Sequence, residues 1–277
     1  MSRLSVFLLF LAIVVCQGTR NNTINYYKDI LCNTTENGQY DCSFLDDLKK
    51  DKCYFAGEKY DLGQELPKEL LNREAKCKVS CNCHMDHFEN AAVWNCLNIE
   101  CPEHFGLIPG RSYTYSHDKC CALISDKDPS VTEDTKCMYH GKEYYKGQRF
   151  YPEEEPCLSC ICDKGFKGEL KEPWCQRIKC NTFLHYLSKV RNHCIPLFTS
   201  SNGCCAIYDF RCPSEDDAVI THKNIELNQL PEAPKCKFGN LELFVGQSLS
   251  PKKLAGSCTD CTCSVPPVVT CHMTDCN

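Results

Sequence analysis

Apolar residues are arranged in two ways along this chain. From Leu4 to Val15 they form one nearly unbroken run, opened by Arg3 and followed by Cys16-Gln17-Gly18. A charged start, an apolar stretch and small residues predict a secretory signal peptide over 1–18. The run falls short of the roughly 20 residues that span a bilayer, and no later run approaches that length, so no membrane insertion is expected. Beyond it, Leu, Ile, Val and Phe are scattered, and the recurring positions are aromatic residues, glycines and cysteines. Three openings share one pattern. They are Cys53-Tyr54-Phe55-Ala56-Gly57 with Gly63-Gln64, Cys137-Met138-Tyr139-His140-Gly141 with Gly147-Gln148, and Cys236-Lys237-Phe238-Gly239-Asn240 with Gly246-Gln247. Phe55, Tyr139 and Phe238 stand two positions after the first cysteine, and Tyr60, Tyr144 and Leu243 five further on. Gly or Asn at the fifth position suits a tight turn with positive φ. Aromatic and β-branched neighbours favour strands. Each opening is therefore predicted to be a short antiparallel hairpin, closed by the second Gly-Gln.

The cysteines that follow repeat as well. A close trio (Cys77, Cys81, Cys83; Cys157, Cys160, Cys162; Cys258, Cys261, Cys263) precedes a pair (Cys96, Cys101; Cys175, Cys180; Cys271, Cys276), with Trp94 and Trp174 before the first two pairs. Threefold recurrence of this order marks an internal repeat. The first copy ends at Cys120-Cys121 with eight cysteines. The second adds Cys194 and Cys212 around Cys204-Cys205 to reach ten, and the third stops at six. The predicted organisation is a leader at 19–52, a repeat at 53–124, a linker at 125–136, a repeat at 137–212, a linker at 213–235 and a half-repeat at 236–277. Both linkers are polar and read as exposed spacers that let the repeats move. Within the leader, Leu45–Lys50 is expected to form one helical turn.

Composition narrows the function. Twenty-seven cysteines in 277 residues is far above ordinary usage, and after an export signal it implies a disulfide framework in place of a large apolar core. The leader and every repeat hold an even number, so each can close its own bridges. Cys32 and Cys42 are the leader's two cysteines and are expected to pair. Cys194 and Cys212 are missing together from the first copy, so the simplest account pairs them with each other. The sequence leaves the remaining connectivities open. Asn21 and Asn33 open N-glycosylation sequons. The net charge of −5 and the absence of a basic stripe exclude nucleic acid as an expected partner.

Cys81-Asn82-Cys83-His84-Met85-Asp86-His87 has zinc-ligand residue types, and Cys157-Leu158-Ser159-Cys160 has redox spacing, but the even counts favour structural bridges at both. The nine histidines are dispersed, no Gly-x-Ser-x-Gly elbow occurs, and no cysteine is left over as a nucleophile. No enzyme activity, metal or cofactor is expected.

The ten-cysteine copy resembles a von Willebrand factor type C (VWC) domain: a first cysteine, a CxxCxC trio, a CxxxxC pair, a seventh cysteine, a doublet and a tenth. The likeness covers 53–277 and extends to chordin-like and crossveinless-like extracellular proteins; the eight-cysteine copy also resembles the single-domain VWC proteins of arthropods. Departures are the CxxxCxC trio of the first copy and the long gap from Cys205 to Cys212. The resemblance implies a small disulfide-rich, mainly β fold of tandem elongated VWC-like modules, with short antiparallel hairpins and irregular disulfide-tied loops. It implies the bridges Cys53–Cys83, Cys77–Cys120, Cys81–Cys96 and Cys101–Cys121 in the first copy. In the second it implies Cys137–Cys162, Cys157–Cys204, Cys160–Cys175, Cys180–Cys205 and Cys194–Cys212, and in the third Cys236–Cys263, Cys258–Cys276 and Cys261–Cys271.

It further implies a secreted protein that binds an extracellular protein ligand, a growth factor of the BMP/TGF-beta class or a cell-surface receptor. The hairpins and the segments before them would make the contacts, which points to Tyr54, Phe55, Tyr60, Tyr139, Tyr144 and Tyr145. The competing account has these aromatics merely packing their hairpins. Two other functions stay open: an arthropod-type immune or stress-response factor, and a pacifastin-like serine protease inhibitor with Ser264–Thr270 as its reactive loop.

Overall fold

Two-residue turns set the geometry of the three openings. In the computed structural model, Lys52–Phe55 pairs antiparallel with Glu58–Asp61, Lys136–Tyr139 with Lys142–Tyr145, and Lys235–Phe238 with Leu241–Phe244. Each first cysteine lies opposite the residue seven positions on: Cys53 against Tyr60, Cys137 against Tyr144 and Cys236 against Leu243. Ala56-Gly57 and His140-Gly141 both take positive φ at the two central positions, the turn whose twist matches the strands. The third turn departs from expectation. Its positive φ falls on Gly239 and not on Asn240, because glycine at the first central position takes that conformation without a steric cost.

The second Gly-Gln clasps the last cysteine of each trio. Gly63, Gly147 and Gly246 donate to the carbonyls of Cys83, Cys162 and Cys263 at 2.7, 2.7 and 2.8 Å. Those cysteines donate back to Gln64, Gln148 and Gln247, each at 2.9 Å. The glutamine side chains add a clamp: Gln148 Oε1 accepts from Tyr145 N at 2.9 Å and Gln247 Oε1 from Phe244 N at 2.7 Å. All three glycines have positive φ, which is why no other residue occupies the position at low cost.

The structure describes residues 21–126, 135–198, 204–221, 233–254 and 256–274; the signal peptide, Cys276 and the middles of both linkers lie outside them. The fold is mainly β, with helices at 21–29, Lys68–Glu74 and Thr182–Arg191. Among the described residues no helix is long and apolar enough to cross a membrane. The chain forms two compact units, one holding 21–62, 85–93 and 182–274, the other 63–84 and 94–181. This division passes through the ten-cysteine repeat.

The second unit contains the sheet Arg149–Phe150, Leu158–Ile161 and Cys175–Arg177. Its core is aromatic: Phe150 meets Tyr144, Tyr139 and Phe166 at ring separations of 4.6, 5.1 and 5.6 Å, and Phe166 meets Trp174 edge-on at 6.0 Å. Rings at these separations add to area burial.

The first unit contains a seven-stranded sheet in the order Ile207–Arg211, Ile195–Phe198, Thr270–Thr274, Ser257–Thr262, Ser248–Leu249, Val219–Ile220, with Lys252–Leu254 on Ser257–Thr262. The tail of the ten-cysteine repeat and the half-repeat therefore share one sheet, joined by the parallel pairing of Leu197 with Cys271. Ile195, Leu197, Phe238, Leu243, Leu249 and Val269 form one buried cluster with Cys236, Cys261, Cys263 and Cys271. The start of the predicted 213–235 spacer is built into this sheet: Val219 lies opposite Leu249. Arg211, buried, donates to Asp217 Oδ1 at 2.6 Å, to Ser250 O at 2.8 Å and to Thr259 Oγ1 at 3.0 Å. Leader residues join the same unit, where the expected helical turn is a 3-10 helix at Ser43–Asp47.

Candidate binding surface

Covalent ties hold the candidate surface. The structure contains the bridges Cys32–Cys42, Cys77–Cys120, Cys81–Cys96, Cys101–Cys121, Cys137–Cys162, Cys160–Cys175, Cys194–Cys212, Cys236–Cys263 and Cys261–Cys271. Cys53, Cys83, Cys157, Cys180, Cys204, Cys205 and Cys258 are also disulfide-bonded. The Cys258–Cys276 expectation reaches Cys276, outside the described residues. In the second and third copies the trio's middle cysteine faces the first of the following pair across adjacent strands, Cys160 opposite Cys175 and Cys261 opposite Cys271.

The six candidate aromatics do not share one environment. Phe55 and Tyr139 are buried. Tyr139 donates its phenol hydrogen to Glu154, and burial together with that bond pushes the phenol up to about 12. Tyr54 is half-buried, and its hydroxyl accepts from Lys49 N at 3.0 Å. Tyr60 is half-buried too. Tyr144 packs one face on Phe150 and Tyr145 lies under Lys136, 5.1 Å from its ring centre. Of the six, Tyr144 and Tyr145 line an open groove of about 670 Å³.

That groove lies wholly within the second unit. One wall is 107–115, from the end of the eight-cysteine repeat, and the other is 142–151, from the next hairpin. The walls are seamed at Gly147, whose carbonyl accepts from Tyr115 N at 2.8 Å. His117 Nε2 donates to Trp174 O at 2.8 Å, further along the same seam. The Arg149 guanidinium stacks 4.0 Å from the centre of the Tyr115 ring, and Lys142 Nζ sits 5.3 Å from that of Tyr144. Burial raises the Tyr115 phenol above its ordinary range, although Arg149 opposes the shift. Five tyrosines (113, 115, 144, 145 and 151) contribute to the lining. Sequence reasoning named two of them. The alternation Ser112-Tyr113-Thr114-Tyr115 was the signal for Tyr113 and Tyr115, since Ser112–Thr114 is a strand paired with Leu123–Ser125.

The other proposed chemistries meet specific obstacles. The Asp86 carboxylate accepts from Phe88 N at 2.8 Å and Glu89 N at 3.0 Å, closing a turn. Cys160 of the CxxC segment is bridged to Cys175. The loop expected to be a protease-reactive segment is tied down. Tyr27, buried, donates to Val265 O at 2.5 Å and accepts from Val268 N at 3.0 Å, while Pro267 O accepts from Lys237 N at 2.8 Å. Val265 and Val269 are buried, and buried Thr270 bonds Thr23 at 2.9 Å. Asn33 is exposed on the leader's small disulfide loop and Asn21 is exposed on the 21–29 helix.

No protein-family model matches the chain, and no solved structure matches it. Among curated proteins, it is 30% identical to chordin-like protein 1 of Rattus norvegicus over 148 residues, 50% of this chain and 28% of that protein. The human chordin-like protein 1 is 30% identical over 164 residues, 56% of this chain and 31% of its own length. The chain is similar to the chordin-like proteins. Human chordin-like protein 2 extends the likeness, at 25% identity over 159 residues, 54% of this chain and 31% of that protein. The matched region thus spans about three tenths of each relative. A chordin-like relationship accords with the VWC reading of the repeats, and none of these relatives carries the name of an enzyme. They are vertebrate proteins and do not bear on the arthropod likeness.

Proposed function

We propose that the protein is a secreted binding protein that modulates a growth factor of the BMP/TGF-beta class through its VWC-like modules. The observation that carries this reading is the tyrosine-lined groove beside the 136–145 hairpin, in a chain similar to chordin-like proteins. A rigid, disulfide-held surface of aromatic rings and cations loses little entropy on binding and suits a protein partner. Tyr144 and Tyr145 line that groove, whereas Phe55 and Tyr139 are buried. The fastened 264–270 loop counts against the protease-inhibitor alternative.

Surface plasmon resonance with the secreted full chain against a panel of dimeric growth factors of this class tests the reading. Saturable binding is expected, weakened roughly tenfold or more by Tyr145→Ala if that ring lies near the centre of the contact. No binding to any member of the panel refutes it.

A further inference from the structure

The groove's charge points to a more specific occupant. Three cations, Arg111, Lys142 and Arg149, line it against one carboxylate, Glu143. Glu143 is already engaged by Lys136 at 3.2 Å, and Arg111 by Asp126 at 2.8 Å. Among the described residues no carboxylate pairs with Lys142 or Arg149, although each lies against a tyrosine ring. The Arg149 Nε is buried and has no hydrogen-bond partner among the described residues. A buried guanidinium nitrogen left unmatched is costly, and the cost is relieved when an acceptor reaches it.

We propose that this groove binds an extended, acidic, proline-containing segment of a partner protein. Carboxylates of the segment would meet Arg149 and Lys142, and its proline rings would lie on the tyrosine faces. Proline-rich segments dock in aromatic-lined grooves because their backbone is already extended and loses little freedom. A sulfated polysaccharide fits less well. Its affinity needs a row of cations, whereas here five tyrosines share the lining with three cations. The proposal shares Tyr144 and Tyr145 with the growth-factor reading but does not rest on it.

Fluorescence anisotropy of a labelled Pro-Glu-Glu-Pro-Glu-Glu-Pro peptide against the secreted full chain tests it. Saturable binding is expected, with none for the analogue carrying Lys in place of Glu. Arg149→Gln is expected to weaken it by about tenfold, the size of one charge-assisted hydrogen bond. Lys142 is exposed, so Lys142→Glu carries the test if Arg149→Gln does not fold; it is expected to weaken binding several-fold and to reduce its salt dependence. The idea is overturned by equal binding of the two peptides, by unchanged affinity in Lys142→Glu, by no saturation up to about 1 mM peptide, or by heparin oligosaccharide binding where the acidic peptide does not. Growth-factor binding by the wild-type chain, measured alongside, reports on the other reading separately.

Discussion

Gly147→Ala is expected to open the seam between the two walls of the groove, and its cost can be built from two terms. The first is conformational: Gly147 has φ +79°, and a side chain in that left-handed region costs about 1–2 kcal/mol. The second is steric. An added Cβ would stand 2.4 Å from Thr114 Cγ2, 3.2 Å from its Cβ and 3.3 Å from its Cα. The methyl group can rotate away but the backbone cannot, and such overpacking costs about 1–3 kcal/mol. The total is roughly 2–5 kcal/mol. Gly63, the counterpart in the first repeat, supplies the control. Its φ is +83°, and nothing lies within 4 Å of its would-be Cβ. Gly63→Ala should therefore show the first term alone, about 1–2 kcal/mol. Both glycines belong to the second unit, so one urea titration with bridges intact, followed by tryptophan fluorescence, compares them. Thr114→Ala in the Gly147→Ala background should recover part of the loss by removing Cγ2. Hydrogen exchange of the Tyr115 amide, bonded to Gly147 O, should accelerate in Gly147→Ala and not in Gly63→Ala. Equal losses in the two single variants, with Tyr115 exchange unchanged, would refute the reasoning.

The remaining expectations concern the first unit. Asp217→Asn should cost about 3–5 kcal/mol in thermal unfolding, because it leaves the buried Arg211 charge without its counter-ion. Burial pushes the Asp217 carboxyl up, but hydrogen bonds from Arg211 and Ser214 outweigh it, and the net shift is downward. A depressed folded-state value contributes stability above the unfolded carboxyl's roughly 3.9 and loses it as pH falls through the lower folded value. Acid titration by circular dichroism should therefore show a destabilisation below about pH 4 that Asp217→Asn lacks. Removing Cys194 and Cys212 together should cost about 3 kcal/mol, the loop-closure value for a span of 18 residues, read as a lower urea midpoint.

Where a residue's own chemistry dictates backbone shape, the chain was readable in advance. The hairpin turns at 56–57 and 140–141 follow from positive φ, and the second Gly-Gln marks where each hairpin ends, although the clasp it makes emerges only in the structure. These are local demands, visible in any one repeat and reinforced by the other two. The parallel pairing of Ile195–Phe198 with Thr270–Thr274 was not legible, because it joins strands more than 70 residues apart and Ile195–Phe198 is buried throughout, without alternation. In the 213–221 segment one residue departs from the pattern its acidic composition suggests: Glu215 and Asp216 are exposed, yet Asp217 turns inward to meet an arginine supplied from another strand. The groove was half legible: Tyr144 and Tyr145 stood out, but nothing local to Arg149 announces that Tyr115 stacks on it.

The shared sheet of the first unit carries a lesson about how such a chain tolerates being cut or recombined. Tandem cysteine modules invite treatment as interchangeable beads, each to be excised at the spacer. Here a stop placed ahead of Cys236 would strip Thr270–Thr274 from Ile195–Phe198 and leave that buried, apolar strand as an open edge, a ready template for pairing with another molecule. Such a truncation would retain all ten cysteines of the complete repeat and still aggregate. The count of cysteines marks where a module begins and ends in sequence. The hydrogen-bond ladder decides what can be removed.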